Sequence, residues 1–174
     1  MNNPSANFVN AKVDSTTFAW QSIDHAHAEI HCGEHFYIEN YATLGNDATL
    51  QVSLVTPNNA KWAHFIWNIQ SSGDLITEFY ENAAGITAGS DVTPINNNRN
   101  STNLTGITIK SGVTAATFGT KISSAAWKSK TGGSTTREDE IILRQNRIYL
   151  RRFISGAVGN LVSFKASWYE HQNQ

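Results

Sequence analysis

His25, His27, Glu29 and His31 share one parity along the chain, and His35 follows beyond Gly33. On an extended backbone, side chains two positions apart leave the same face about 6–7 Å from each other. Imidazoles and a carboxylate at that spacing suit a divalent ion such as Zn²⁺ or Fe²⁺. His27, Glu29 and His31 are therefore the candidate metal ligands. The plainer alternative is polar pairing between neighbouring strands on a solvent-facing or subunit-facing surface.

The spacing departs from the H-x-H-x3,4-E motif of cupins, and no later Gly/Pro-flanked histidine completes such a set. A cupin-like metal enzyme is thus the third-ranked reading. Other chemistries lack their residues. There is no G-x-S-x-G elbow and no glycine-rich phosphate loop. Glu138, Asp139 and Glu140 stand beside Arg137 and read as a solvated turn before a strand. Cys32, the single cysteine, excludes an internal disulfide and reads as a buried, inert thiol along a strand. The expectation is a non-enzymatic protein with no catalytic residues and no cofactor.

The elements that would carry these side chains are strands. Residues 148–153 alternate, with Ile148, Leu150 and Arg152 on one parity and Tyr149, Arg151 and Phe153 on the other. After a Gly/Asn turn, Val162, Phe164, Ala166 and Trp168 oppose Leu161, Ser163, Lys165, Ser167 and Tyr169. A period of two marks strands, because successive side chains leave a pleated backbone on opposite sides. Similar runs cover 27–31, 35–42, 50–55, 61–70 and 75–81, with shorter ones at 104–110 and 113–119. The run 61–70 carries large apolar groups on both parities, as a strand buried on two sides requires. Ser71-Ser72-Gly73-Asp74 reads as a hairpin turn. Asn82 to Thr136 is looser and Asn/Gly/Ser-rich. No helix longer than a turn or two is evident.

The fold class expected is all-β: a single-domain antiparallel β-sandwich, jelly-roll-like, with an immunoglobulin-like sandwich as the alternative. Residues 1–24 form an extended N-terminal arm and residues 25–174 the sandwich. At 174 residues the chain suits one such domain. Charged residues are only 16% and the net charge is −1, so a phosphate backbone is a poor partner. No apolar run of 18 residues occurs and no signal peptide is read, which points to a soluble, membrane-independent product of a reducing cytoplasm.

Candidate contact residues follow from the aromatics and arginines. Phe8, Phe18 and Trp20 are isolated aromatics in the arm. Trp127, between Ser/Ala and Lys-rich residues, reads as free to meet a partner. Arg147, Arg151 and Arg152 read as ion-pair partners of Glu138–Glu140 or of another subunit.

Several blocks resemble small structural proteins of tailed bacteriophages. They are H-A-E-I-H-C-G-E-H-F-Y-I from His27, T-P-N-N-A-K-W-A-H-F-I-W from Thr56, T-P-I-N-N-N-R-N-S from Thr93, I-L-R-Q-N-R-I-Y-L-R-R, and the terminal W-Y-E-H. The resemblance spans residue 27 to the end and is to head decoration, or cement, proteins. It implies a homotrimer on the outer capsid surface of the virion, made in the host cytoplasm, that bridges major capsid protein subunits. A receptor- or glycan-binding module of a fibre or tail, using Trp127 and the Asn-rich loops, is the alternative.

Overall fold

The two alternating runs near the C-terminus become strands in different sheets. The structure, a computed structural model, describes residues 25–128, 132–134 and 140–172; Phe8, Phe18 and Trp20 lie outside them. In chain order the elements are α1 (His25–Cys32), β1 (His35–Leu44), β2 (Thr49–Val55), β3 (Lys61–Ser71), β4 (Leu75–Glu81), β5 (Ala84–Asp91) and β6 (Ile95–Asn96). There follow β7 (Thr108–Thr117), β8 (Thr120–Trp127), β9 (Gly132–Ser134), β10 (Ile141–Leu143), β11 (Ile148–Ser155) and β12 (Asn160–Gln172).

Two six-stranded antiparallel sheets pack face to face. The first runs β10-β3-β12-β1-β6, with β9 also on β3; the second runs β5-β7-β2-β11-β4-β8. Pairing is nested: β1 with β12, β2 with β11, β3 with β10, and β4 with β8. One long antiparallel ribbon rolled over itself gives that nesting, and it is the jelly-roll order. The hairpin β5–β7 and the short β6 are added at the sheet edges beside β2 and β1.

The core lies between the sheets, on one parity of each strand. Phe65, Trp67, Phe164 and Trp168 from the first sheet meet Leu54, Phe79, Tyr149 and Phe153 from the second. Phe153 stacks on Phe164 across the interface at 4.9 Å between ring centroids, and Trp67 meets Phe79 edge-on at 6.1 Å. Burying each such ring is worth roughly 1.5–3 kcal/mol.

Four sequence expectations change. Residues 25–32 are a helix, not a strand, and the helix ends at Gly33. Gly33 donates to the Ile30 carbonyl (3.0 Å) and Glu34 to that of Glu29 (2.9 Å), a Schellman close with Gly33 at φ 73°. Ser71–Asp74 and the Gly/Asn turn before β12 are arches between sheets, not hairpins, because β3 and β12 share one sheet while β4 and β11 share the other. β3 is central in its sheet yet buried on one face only; Trp62 on the other is 38% exposed. Finally, 84–91 and 120–127 are strands, and one strand covers 108–117 where two shorter runs were expected.

A second, smaller core sits on the outer side of the second sheet. Gly112, at φ 75°, turns β7 out of its pairing with β2. Its far half, paired with β5, lays Val113 and Ala115 against Leu150 and Tyr80. Leu150 is fully buried there.

Candidate functional site: an uncovered aromatic sheet face

The outer face of the first sheet has no such flap among the described residues. Strand parity aims His35, Tyr37, Glu39 and Tyr41 of β1, Trp62, His64 and Ile66 of β3, and Tyr169 and His171 of β12 to that side. Tyr41 is 73% exposed, and Leu161, Ile142 and Ile95 add half-exposed aliphatic groups. The face is broad, apolar and rich in rings.

At one end of it the rings form a stack. Register pairs Tyr169 with His64, and His171 with Trp62. His64 lies 4.6 Å from both the Tyr169 and the His171 ring centroids. Glu140, just ahead of β10, closes the group: its Oε1 accepts from His64 Nδ1 (2.6 Å) and from the Tyr169 hydroxyl (2.8 Å). His171 Nε2 faces His64 Nε2 at 2.9 Å.

The few charges on this face are satisfied locally. Lys165 bonds Glu39 at 3.0 Å and lies 4.4 Å above the Tyr37 ring. Lys61 bonds Glu34 at 2.6 Å at the margin. The outer face of the second sheet is different in kind. There Glu78 accepts from Arg152 (2.5 Å) and Lys121, and Arg152 stacks over Phe118 at 4.2 Å. Burial pushes the Glu78 carboxyl up, but hydrogen bonds from Lys121 and Tyr80 and the charges of Lys121 and Arg152 outweigh it, leaving a lowered pKa.

The residues singled out from sequence are dispersed. His27 and His31 stand one helical turn apart on α1, with Nε2 atoms 3.0 Å apart. Glu29, two positions from each, projects roughly 200° around the helix, so the proposed ligand set is split. Among the described residues no three or more His, Cys, Asp or Glu side chains converge on a common point. Cys32 is exposed on the last turn of α1, not buried in a strand.

The arginine trio separates too. Arg147 is exposed in the loop between β10 and β11, where it bonds the Asn146 carbonyl at 3.1 Å. Arg152 pairs with Glu78 instead of the acidic run at 138–140. Arg151 points into the core and is 6% exposed, out of reach of any partner. Its guanidinium lies 5.4 Å from the Trp67 ring, 5.7 Å from Phe79 and 6.0 Å from Phe153, and donates to Thr77 Oγ1 at 2.8 Å. Burial pulls its pKa down to about 10, and its Nε has no hydrogen-bond partner. Trp127 ends β8 opposite Leu75 and packs against the core, so it is not a free loop residue.

The Asn-rich tract is likewise engaged. Asn98 Nδ2 donates to the His31 carbonyl (3.1 Å) and Asn103 Nδ2 to that of Cys32 (3.4 Å). Asn96 Nδ2 donates to the Gly33 carbonyl at 2.8 Å. These amides satisfy carbonyls at the end of α1 that helix geometry leaves open. Glu170, buried on the core face of β12, pins the same loop by accepting from Thr105 and from the Gly106 amide (3.3 Å).

Sequence reasoning passed over the His64–Glu140–Tyr169–His171 group because its members come from three segments. The parity of His64, and of Tyr169 and His171, was readable; the register joining positions 105 residues apart was not. Compared with protein-family models, curated proteins and solved structures, the chain finds no match.

Proposed function

We propose that this protein is a bacteriophage virion component, a decoration or cement protein. It docks on the outside of the assembled head as a homotrimer and bridges major capsid protein subunits. The observation that carries this reading is the neutral, ring-rich outer face of the first sheet. Sequence blocks resembling tailed-phage structural proteins supply the shell as the setting.

The dimensions support association through that face. Four strands about 4.8 Å apart, each about ten residues at 3.3 Å, give a patch of roughly 600 Å². Stable interfaces bury about 800 Å² per partner, so the patch and its rim approach that size. Its charges are already paired within the chain, which favours an equally neutral surface over a strongly acidic or basic one. A copy of the same chain meets that condition. In a cyclic trimer each contact is made three times, so modest contacts per subunit accumulate.

A second reading rests on one cleft. Trp62, Ile142 and Leu143 line it beside Arg144 and Gln145, an aromatic wall with polar donors that suits a sugar ring. A fibre or tail module that binds glycans would use it.

Light scattering of the purified protein is expected to give three times the 19.1 kDa chain mass. Tyr41→Ser/Trp62→Ser is expected to yield monomers that no longer co-sediment with purified heads. A monomeric wild type that ignores heads and retains a sugar would overturn the decoration reading in favour of the glycan one.

A further inference from the structure

The two histidines facing each other across β3 and β12 have their hydrogen positions set by their partners. His64 Nδ1 meets the Glu140 carboxylate, which only accepts, and His171 Nδ1 meets the Gln172 carbonyl at 2.8 Å, which also only accepts. Each Nδ1 therefore carries the hydrogen, and each neutral ring presents a bare lone pair at Nε2. Those two Nε2 atoms lie 2.9 Å apart. Two lone pairs at that distance repel unless a cation sits on them.

The geometry points to a divalent transition-metal ion held by His64 and His171 through Nε2. Metal–imidazole bonds run about 2.0–2.1 Å, and at that length a 2.9 Å separation subtends about 90° at the ion. That is the angle between adjacent positions of a square-planar or octahedral ion, and it is narrow for a tetrahedral one. Cu²⁺ and Ni²⁺ take those geometries and lead the affinity order for nitrogen ligands, so they are preferred over Zn²⁺. Glu140 acts behind the site. A carboxylate on the far nitrogen orients a ligating ring and raises its basicity. Tyr169, donating to the same Oε1, holds that carboxylate in place. The His64 side chain is 12% exposed, so the ring is held with little freedom to rotate away. The remaining coordination positions fall to water. The pair on α1 is separate, and its rings meet at 65° instead of 32°.

This inference stands apart from the capsid reading and can fail without it. The test uses the full chain without an affinity tag, in a His27→Ala/His31→Ala background that removes the helical pair. Cu²⁺ and Ni²⁺ are titrated calorimetrically, and the Cu²⁺ form is examined by electron paramagnetic resonance. The background protein is expected to bind one ion per chain, with two imidazole nitrogens in the spectrum. His171→Ala, near the end of β12 and half-buried, is expected to weaken binding at least ten-fold and leave one nitrogen. Glu140→Ala is expected to weaken it about ten-fold with both nitrogens retained. A loss under ten-fold for His171→Ala, or no binding by the background protein with its circular dichroism intact, overturns the assignment.

Discussion

Arg151→Met should make the protein more stable. The guanidinium is enclosed by Trp67, Phe79 and Phe153, and no carboxylate among the described residues lies within ion-pair distance. Its pKa falls from 12.5 to about 10 through burial, and 2.5 units correspond to a desolvation cost of about 3 kcal/mol. Against this stand one hydrogen bond to Thr77, worth about 1 kcal/mol net, and ring contacts worth about 0.5–1 kcal/mol together. Methionine has similar length, no charge, and a sulfur that packs well on rings. The balance is a gain of about 1 kcal/mol, or roughly 2–4 °C in Tm for a chain of this size. The assay is urea denaturation at pH 7, followed by tryptophan fluorescence. The sign of the titration gives a second check. The unfolded chain binds the Arg151 proton more tightly, so wild-type stability rises relative to the variant from pH 10 to 12.5. A variant less stable than wild type by 1 kcal/mol would refute the reasoning, and show that the cation–ring contacts outweigh desolvation.

Two further outcomes are expected. Burial pushes the Tyr149 hydroxyl up to about 12, the Arg144 amide that donates to it pulls the other way, and the Glu81 carboxylate that accepts from it adds to the rise. Its contribution is then fully present below pH 10 and lost between pH 10 and about 12, so the stability gap between wild type and Tyr149→Phe should close over that window. A gap that stays constant to pH 12 would contradict it. Cys32, exposed at the end of α1, should react completely with a thiol reagent in the native protein, within about two-fold of the rate in denaturant; protection of ten-fold or more would place it elsewhere.

The strands with large alternating side chains were legible in the sequence. β4 falls on 75–81 as read, and Val162, Phe164, Ala166 and Trp168 are the buried parity of β12. Parity even grouped Arg151 with Tyr149 and Phe153; its charge was what suggested the surface. β5 and β8 were missed because Ala, Gly, Ser and Thr fill exposed positions there, so partners impose the strand without a hydrophobic period. The segment 25–32 fits a period of two, but His27 and His31 also fit one turn of helix. The Schellman bonds at Gly33 and the Asn amides from 96–103 decide for the helix. No local pattern separates an arch from a hairpin, which is why the arches at 71–74 and 156–159 could not be read.

The nested pairing also dictates when the molecule can exist. His35 at the start of β1 is opposite Tyr169 on β12, so the central strand of the first sheet is the last one to leave the ribosome. Until Asn160–Gln172 emerges, β1 and β3 each expose an open edge, and the nascent chain depends on chaperones or speed to avoid sticking to its siblings. Closing contacts this distant in sequence is slow. Premature termination anywhere before Asn160 therefore yields no partial sandwich with a usable ring-rich face, so assembly is protected from incomplete subunits by the order of synthesis itself.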